Sequence, residues 1–389
     1  MQKQLIAGIA IAVSSLFVSA CGGVATNSDS AGGGEIKIGA IFALTGPNAS
    51  YGVPEANGAK VLVKSINDAG GVNGKQIKLV LKNGESDPTM AARRAQELIS
   101  EGVVAIVGAT TGSGTLAMAA LAKKAEVPII SPAGTSAVTD PGSDYFANTF
   151  RVSLADQIVI PAIYKKLTDQ GAKRIAVFAQ NDAYGQFGVD ILKSLAAKDS
   201  SGAKVVDIAT APLTATNVAA QATKLRNSKP DGVILQLSSV DLAASFLRAA
   251  DDIGLDVPIY GGTGMGQKVL LDNAGAAATA NLIVSALVDV NNLTPRQEKL
   301  HSLLLKYGEK PSGGFGEYLG ASGVQIVVDA LEKAGDGADG ADVAKALNAG
   351  MTIDVYTPAP MEFSADFHDG CTAACITFLP VNDGEFTRE

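Results

Sequence analysis

From residue 35 onward, short apolar runs of strand length alternate with stretches whose apolar positions recur at helical spacing. Residues 35–42 predict a first strand, 51–67 a helix, 70–74 a turn and 76–81 a second strand. Asp87-Pro88 predicts the start of the next helix, with the proline at its first position. Residues 103–107 form a short continuous apolar run, the pattern of a strand covered on both faces. Gly112-Ser113-Gly114 lead into another helix, and residues 127–130 and 146–152 predict two more strands. The rhythm then restarts. Asp156 opens a helix, and strands at 174–179, 204–208, 232–235 and 257–260 alternate with helices at 184–195, up to Leu225, and at 241–250. A strand at 281–288 and helices at 295–307 and 318–333 follow, and the tail, 361–386, reads as short strands joined by turns. Repeated βα units with apolar strands imply parallel sheets flanked by helices, and two such series imply two similar lobes.

The segment before this alternation has a different character. Lys3 precedes an apolar stretch at 5–18, too short to span a bilayer comfortably, which reads as a cleaved export signal. It ends in Val18-Ser19-Ala20-Cys21, four residues that match the bacterial lipobox and imply a diacylated Cys21, with an ordinary signal peptide and a chance cysteine as the alternative. Residues 1–21 are therefore expected to be signal and lipobox, and the Gly-, Ser- and Asn-rich 22–34 a flexible tether. About 355 of the 389 residues remain, enough for two domains of ordinary size.

Composition narrows the function. A net charge of −8 with no Lys/Arg cluster argues against a nucleic-acid partner. Besides Cys21 there are only Cys371 and Cys375, an even pair that in an exported chain predicts a disulfide. The alternative is a metal site, for which the nearest histidine, His368, stands alone; no metal and no cofactor are expected. His301 follows a charged helical stretch, and no H-E-x-x-H, G-x-S-x-G or C-x-x-C motif occurs, so no catalytic residue is assigned and an enzyme is not expected.

Several stretches together resemble a family. Ile38-Gly-Ala-Ile-Phe-Ala-Leu-Thr-Gly-Pro47 is similar to the opening strand and loop of type I periplasmic binding proteins of the branched-chain amino acid (Leu/Ile/Val) group, and Tyr51-Gly52 follows at the expected distance. Gly70-Gly-Val-Asn-Gly74, Ser86-Asp87-Pro88, Gly108 with Thr110 to Thr115, Val127-Pro-Ile-Ile-Ser-Pro-Ala133, Asn181-Asp-Ala-Tyr-Gly185 and, more weakly, Pro311-Ser-Gly-Gly-Phe315 match in order and spacing. The resemblance implies two doubly wound α/β lobes joined by three crossovers, near 152–154, 285–287 and 358–361. The N-terminal lobe would hold 35–152 and 286–358, and the C-terminal lobe 153–285 and 359–389. Such a hinge suits closure around a ligand.

In an open parallel sheet, ligands sit beyond the C-terminal strand ends. The loops there are 44–51, 108–115, 131–136, 180–184, 236–241 and 261–266. The glycines of 108–115 lead into a helix N-terminus that favours an anion, although the Gly-Lys-Ser/Thr ending of a P-loop is absent; a tight turn with a helix cap is the alternative. By the resemblance, this loop and 131–136 grip a ligand carboxylate through Ser113 (or Gly112 in its place), Ala133 and Thr135, with Thr111 as a helper. Hydrogen bonds to a charged acceptor contribute roughly 1.5–3 kcal/mol each. Tyr51 and Tyr184 are expected to wall the ligand from opposite lobes, and Phe315 to touch its side chain.

Two positions depart from the family pattern. Amino-acid binders of the family set a second-lobe glutamate against the ligand ammonium; here Tyr260-Gly-Gly-Thr-Gly264 puts Thr263 in that place, and Ser238 stands at a tyrosine position. A buried ammonium without a counter-charge is costly. Either Asp156 or Asp182 substitutes, against the plainer readings of helix cap and turn residue, or the ligand is an acid without an amine, such as an aromatic or oxo acid. The expected function is a lipid-anchored, extracytoplasmic solute receptor for a small carboxylate-bearing molecule, working as a monomer with the permease of an ABC transporter and touching the membrane only through its lipid. A ligand sensor or an amide- or urea-type binding protein of the same fold is the alternative.

Overall fold

The computed structural model describes residues 34–388. The expected leader, the Cys21 lipidation site and the tether up to residue 33 lie outside the described residues. The first series runs β1 (Ile36–Phe42), α1 (Ala49–Asp68), β2 (Ile77–Asn83), α2 (Pro88–Ser100), β3 (Ala105–Gly108), α3 (Gly112–Lys124), β4 (Ile129–Ser131) and β5 (Thr149–Arg151). The second runs α4 (Asp156–Asp169), β6 (Arg174–Gln180), α5 (Ala183–Lys198), β7 (Lys204–Ala211), α6 (Ala219–Asn227), β8 (Gly232–Gln236), α7 (Val240–Asp252), β9 (Ile259–Gly261), α8 (Lys268–Ala274), α9 (Ala276–Thr279) and β10 (Leu282–Ala286). Then come α10 (Pro295–Lys306), α11 (Gly316–Ala334), α12 (Gly340–Asn348), β11 (Met351–Ile353), β12 (Met361–Ser364), β13 (Phe367–Gly370), β14 (Thr377–Asn382) and β15 (Glu385–Phe386).

Both large sheets use one strand order. The first is β2-β1-β3-β4-β5, parallel throughout, and the parallel part of the second is β7-β6-β8-β9-β10, the same sequence of moves. Antiparallel β14 and β15 extend the second sheet beyond β10. Alternate side chains of the first sheet feed different layers: Ile41, Ile106 and Ile129 pack with Ala95, Leu98 and Met118 of α2 and α3. Ala40, Phe42, Val107 and Ile130 join the larger core that includes α1 and α11. Helices thus cover both faces, which is why β3 is buried along its whole length.

The helix starts follow their chemistry. Asp87 caps α2 by accepting from Met90 N, with Pro88 at the first position. Thr294 and Gln297 form a capping box at α10, as Asp339 and Asp342 do at α12. The helix expected to cap itself with Asp156 does not: Ala155 is the N-cap, and Asp156 is the first helical residue, without a side-chain capping bond. The strand expected at 146–152 shortens to Thr149–Arg151 behind a 3-10 turn at Phe146–Asn148.

Where α1 crosses α11 there is no room for side chains. A Cβ on Gly58 would stand 1.9 Å from the Glu317 carbonyl oxygen, and one on Gly320 would stand 1.9 Å from that of Glu55. The two backbones touch through glycine on each helix in turn.

The tail divides. Residues 351–353, 361–364 and 367–370 form a three-stranded antiparallel sheet that packs on β5 and α12, whereas 377–386 joins the second large sheet. The Cys371–Cys375 disulfide lies between these two attachments. His368, in the tail expected to form short strands joined by turns, is buried on β13 and stacks on Phe146 and Phe150 at 3.9 and 4.3 Å between ring centroids. His301 is half-buried on α10. Among the described residues no helix is long and apolar enough to cross a membrane.

Candidate ligand-binding site

The shared strand order places a topological switch between β1 and β3 in the first sheet and between β6 and β8 in the second. A cavity of about 370 Å³ opens at these points, within the usual range for small-molecule sites. Every loop expected beyond the strand ends contributes to it, and Tyr51, Thr111, Ser113, Ala133, Thr135, Tyr184, Ser238, Thr263 and Phe315 all line it.

The polar atoms that the fold itself does not use stand out. Thr135 Oγ1, Ser153 Oγ and Asp156 Oδ2 are buried without a hydrogen-bond partner, and all three residues line the cavity. A buried polar atom left unpaired is costly, so such a cluster is where a polar ligand gains most. Gly112 makes the cluster compact: a Cβ there would stand 2.2 Å from Thr135 Oγ1, so the loop before α3 closes directly onto the loop after β4. Thr111 Oγ1 caps α3 by accepting from Gly114 N and lies 3.5 Å from Ser113 Oγ.

Asp156 is 5 % exposed. Burial pushes its carboxyl up to about 6, opposed by the nearby Arg151 charge and by the Tyr184 hydroxyl. Tyr184 donates to Oδ1 at 3.4 Å. Asp182, which also lines the cavity, is exposed and caps α5 by accepting from Gly185 N, a helix cap where a turn residue was expected. Glu55, four residues after Tyr51 on α1, is a buried cavity acid that sequence reasoning missed. Desolvation raises it to about 8, while a 2.6 Å hydrogen bond from Thr110 Oγ1 pulls the other way. The spacing from Tyr51 was the available signal, because residues four apart share a helix face.

Several expected contacts have other work. Tyr51 donates its hydroxyl to the Gly264 carbonyl in the second lobe at 2.9 Å, so it offers the cavity its ring, 6.0 Å from that of Phe315. Ser238 donates from its backbone N–H and hydroxyl to Gln180 Oε1, and its carbonyl accepts from Asn48 Nδ2 at 2.8 Å. Its groups serve the fold and the bridge between lobes. The Ala133 N–H donates to Ser131 Oγ and its carbonyl accepts from Arg151, so the one donor Ala133 could offer a ligand is already engaged. Thr263 Oγ1 lies 3.4 Å from Ser285 Oγ. Asn48 and Tyr51 thus bridge the lobes, with Lys268 N–H to Gly313 O as a further link.

Residues 35–385 match the family model described as periplasmic binding protein. The chain belongs to the periplasmic binding protein family. Its relatives place it in the type I, branched-chain amino acid group. It is 29 % identical to the leucine-, isoleucine-, valine-, threonine- and alanine-binding protein of Pseudomonas aeruginosa, over 81 % of this chain and 82 % of that one. It is 25 % identical to a Leu/Ile/Val-binding protein homolog of Brucella melitensis, over 82 % and 85 %. The crystal structure of LivJ, a branched-chain amino acid transporter substrate-binding protein from Streptococcus pneumoniae in complex with isoleucine, superposes with a TM-score of 0.79 at 26 % identity, covering 91 % of this chain and 98 % of that one. An extracellular ligand-binding receptor from Rhodopseudomonas palustris shares the fold at a TM-score of 0.83 and 21 % identity, over 92 % and 100 %. This periplasmic binding protein is therefore a solute-binding protein of the branched-chain amino acid transport type, extracytoplasmic and not an enzyme.

Proposed function

We propose that this chain is the lipid-anchored receptor of an ABC importer and that it closes around a small amino acid. The observation that carries the reading is Asp156: a buried carboxylate with one unpaired oxygen, beside unpaired Thr135 and Ser153 hydroxyls. An acid suits a ligand ammonium, and hydroxyls near the N-terminus of α3 suit a ligand carboxylate. Asp156 thereby takes the role that Thr263 cannot fill, and this favours an amine-bearing ligand over an aromatic or oxo acid. The Pseudomonas and Streptococcus relatives, named for branched-chain amino acids or bound to isoleucine, lend the same support.

The lobes we assign are 34–152 with 287–370, and 153–286 with 371–388, which moves the last crossover on from the expected 358–361 because the small sheet packs on β5 and α12. The last boundary falls where the small sheet gives way to β14. Closure by hinge bending is the established mode for periplasmic binding proteins. Asn48–Ser238 and Tyr51–Gly264 are the contacts by which the closed form would be held.

Calorimetric titration of leucine, isoleucine, threonine, alanine and 4-methyl-2-oxopentanoate between pH 4.5 and 8.5 tests the amine. Pairing with an ammonium needs Asp156 ionised. Affinity for the amino acids is therefore expected to be level above about 6 and to fall below it, by about tenfold per pH unit, as the proton must be displaced. An oxo acid would prefer the protonated carboxyl and bind better on acidification. Binding of the oxo acid alone, with that opposite slope, would overturn the amino-acid reading. For the anchor, Cys21→Ser is expected to move the exported protein from the membrane fraction to the soluble one; retention in the membrane would refute lipidation there.

A further inference from the structure

We infer that Arg151 and Asp369 are positioning residues of the cavity, a buried ion pair that sets the loop after β4 and the first turn of α4 in register with each other. Arg151 is fully buried at the end of β5, the last strand before the chain enters the second lobe. A buried guanidinium is tolerable only when paired and hydrogen-bonded, and this one is satisfied in four directions. Nε donates to Asp369 Oδ1 at 2.9 Å, Nη1 to the Ala133 carbonyl, and Nη2 to the Thr135 carbonyl and Thr139 Oγ1, both at 2.8 Å. Both of those carbonyls belong to residues lining the cavity, and one is on Thr135, whose own hydroxyl is unpaired there.

Asp369 carries the arrangement across the lobes. Its Oδ1 also accepts from Thr139 Oγ1, and its Oδ2 accepts from Gln157 Nε2 at 2.9 Å. Gln157 directly follows Asp156, the acid assigned to the ligand amine. One carboxylate therefore holds the hydroxyl-bearing loop on one side and the helix turn bearing Asp156 on the other. The chain around Asp369 is itself restrained: its carbonyl accepts from Cys371 N–H at 2.6 Å, at the start of the ring closed by Cys375. The planar fork of an arginine fixes direction as well as distance, which a lysine would not. Binding groups placed about 1 Å off lose much of their effect.

The inference rests on reading this cavity as the ligand site, and the test separates the two. The probe is whichever of leucine, isoleucine, threonine, alanine or 4-methyl-2-oxopentanoate binds the unaltered protein most tightly, measured at 10 °C with circular dichroism confirming the native fold. Asp369→Asn is expected to weaken it by about 50-fold or more, and Gln157→Ala, at an exposed residue, by about 5- to 10-fold with little change in Tm. In the double variant the losses should not multiply, because both changes cut the same link. A merely structural role would lower Tm and leave Kd unmoved. Unchanged Kd in Gln157→Ala together with unchanged Kd in folded Asp369→Asn overturns the inference and leaves the ligand site standing. Should Asp369→Asn fail to fold, Gln157→Ala decides alone. If no probe binds the unaltered protein, both readings fall.

Discussion

Asp156→Asn is expected to weaken amino-acid binding at pH 7.5 by roughly 30-fold to a few thousand-fold. Removing one partner of a buried, hydrogen-bonded charge pair costs about 2–5 kcal/mol, and each 1.4 kcal/mol is a factor of ten. The side chain keeps its size, so the cavity keeps its shape. Ligand-free stability should move the other way. An acid whose folded-state value is raised contributes stability that is complete below its unfolded value and lost as pH rises through the folded one. For Asp156 that loss spans its ordinary 3.8 to about 6, so at pH 7.5 the carboxylate costs the empty protein stability that asparagine does not. A variant with an equal or higher Tm and much weaker binding, read by thermal unfolding and calorimetry, fits the proposed role. Equal affinity in the two proteins would remove Asp156 from the site.

Gly320→Val carries the largest expected cost to folding. The new Cβ would overlap the Glu55 carbonyl, and the branched side chain would force α11 away from α1. Overpacking typically costs 1–3 kcal/mol, and here backbone meets backbone with no side chain able to yield, so a loss of at least about 3 kcal/mol is expected. Denaturant unfolding measures it. Because Glu55 lies on the crossing and Phe315 and Leu319 line the cavity from the α11 side, ligand affinity should fall as well. Wild-type stability would mean that the helices can part here without penalty.

Much of the fold could be read from residue pattern because parallel strands covered on both faces are written as continuous apolar runs. Ala105–Gly108 and Gly232–Gln236 stand out for that reason. Asp87-Pro88 marked a helix start through elementary capping chemistry. Short helices without a long apolar stripe did not show: α8 spans only Lys268–Ala274, and α12 is a brief Ala-rich stretch after Gly335 and Gly337. The cavity loops followed from the strand ends, but the duties of single atoms did not. Ser238 could be placed at the cleft, yet its commitment to Gln180 is a contact across 58 residues, and the Arg151–Asp369 pair spans 218. Such pairings depend on how the halves meet, which no local spacing encodes. Asp156 shows the same limit, since cap and cavity acid differ only in which way one carboxyl turns.

The contact of α1 with α11 also bears on the order in which the molecule can be completed. The face of α1 around Gly58 is made early in synthesis, and its cover begins only at Gly316. A nascent chain that has finished its first five strands still exposes a groove that nothing nearby in sequence can fill. Completing that side of the core therefore waits on residues that follow the whole second series of strands and helices.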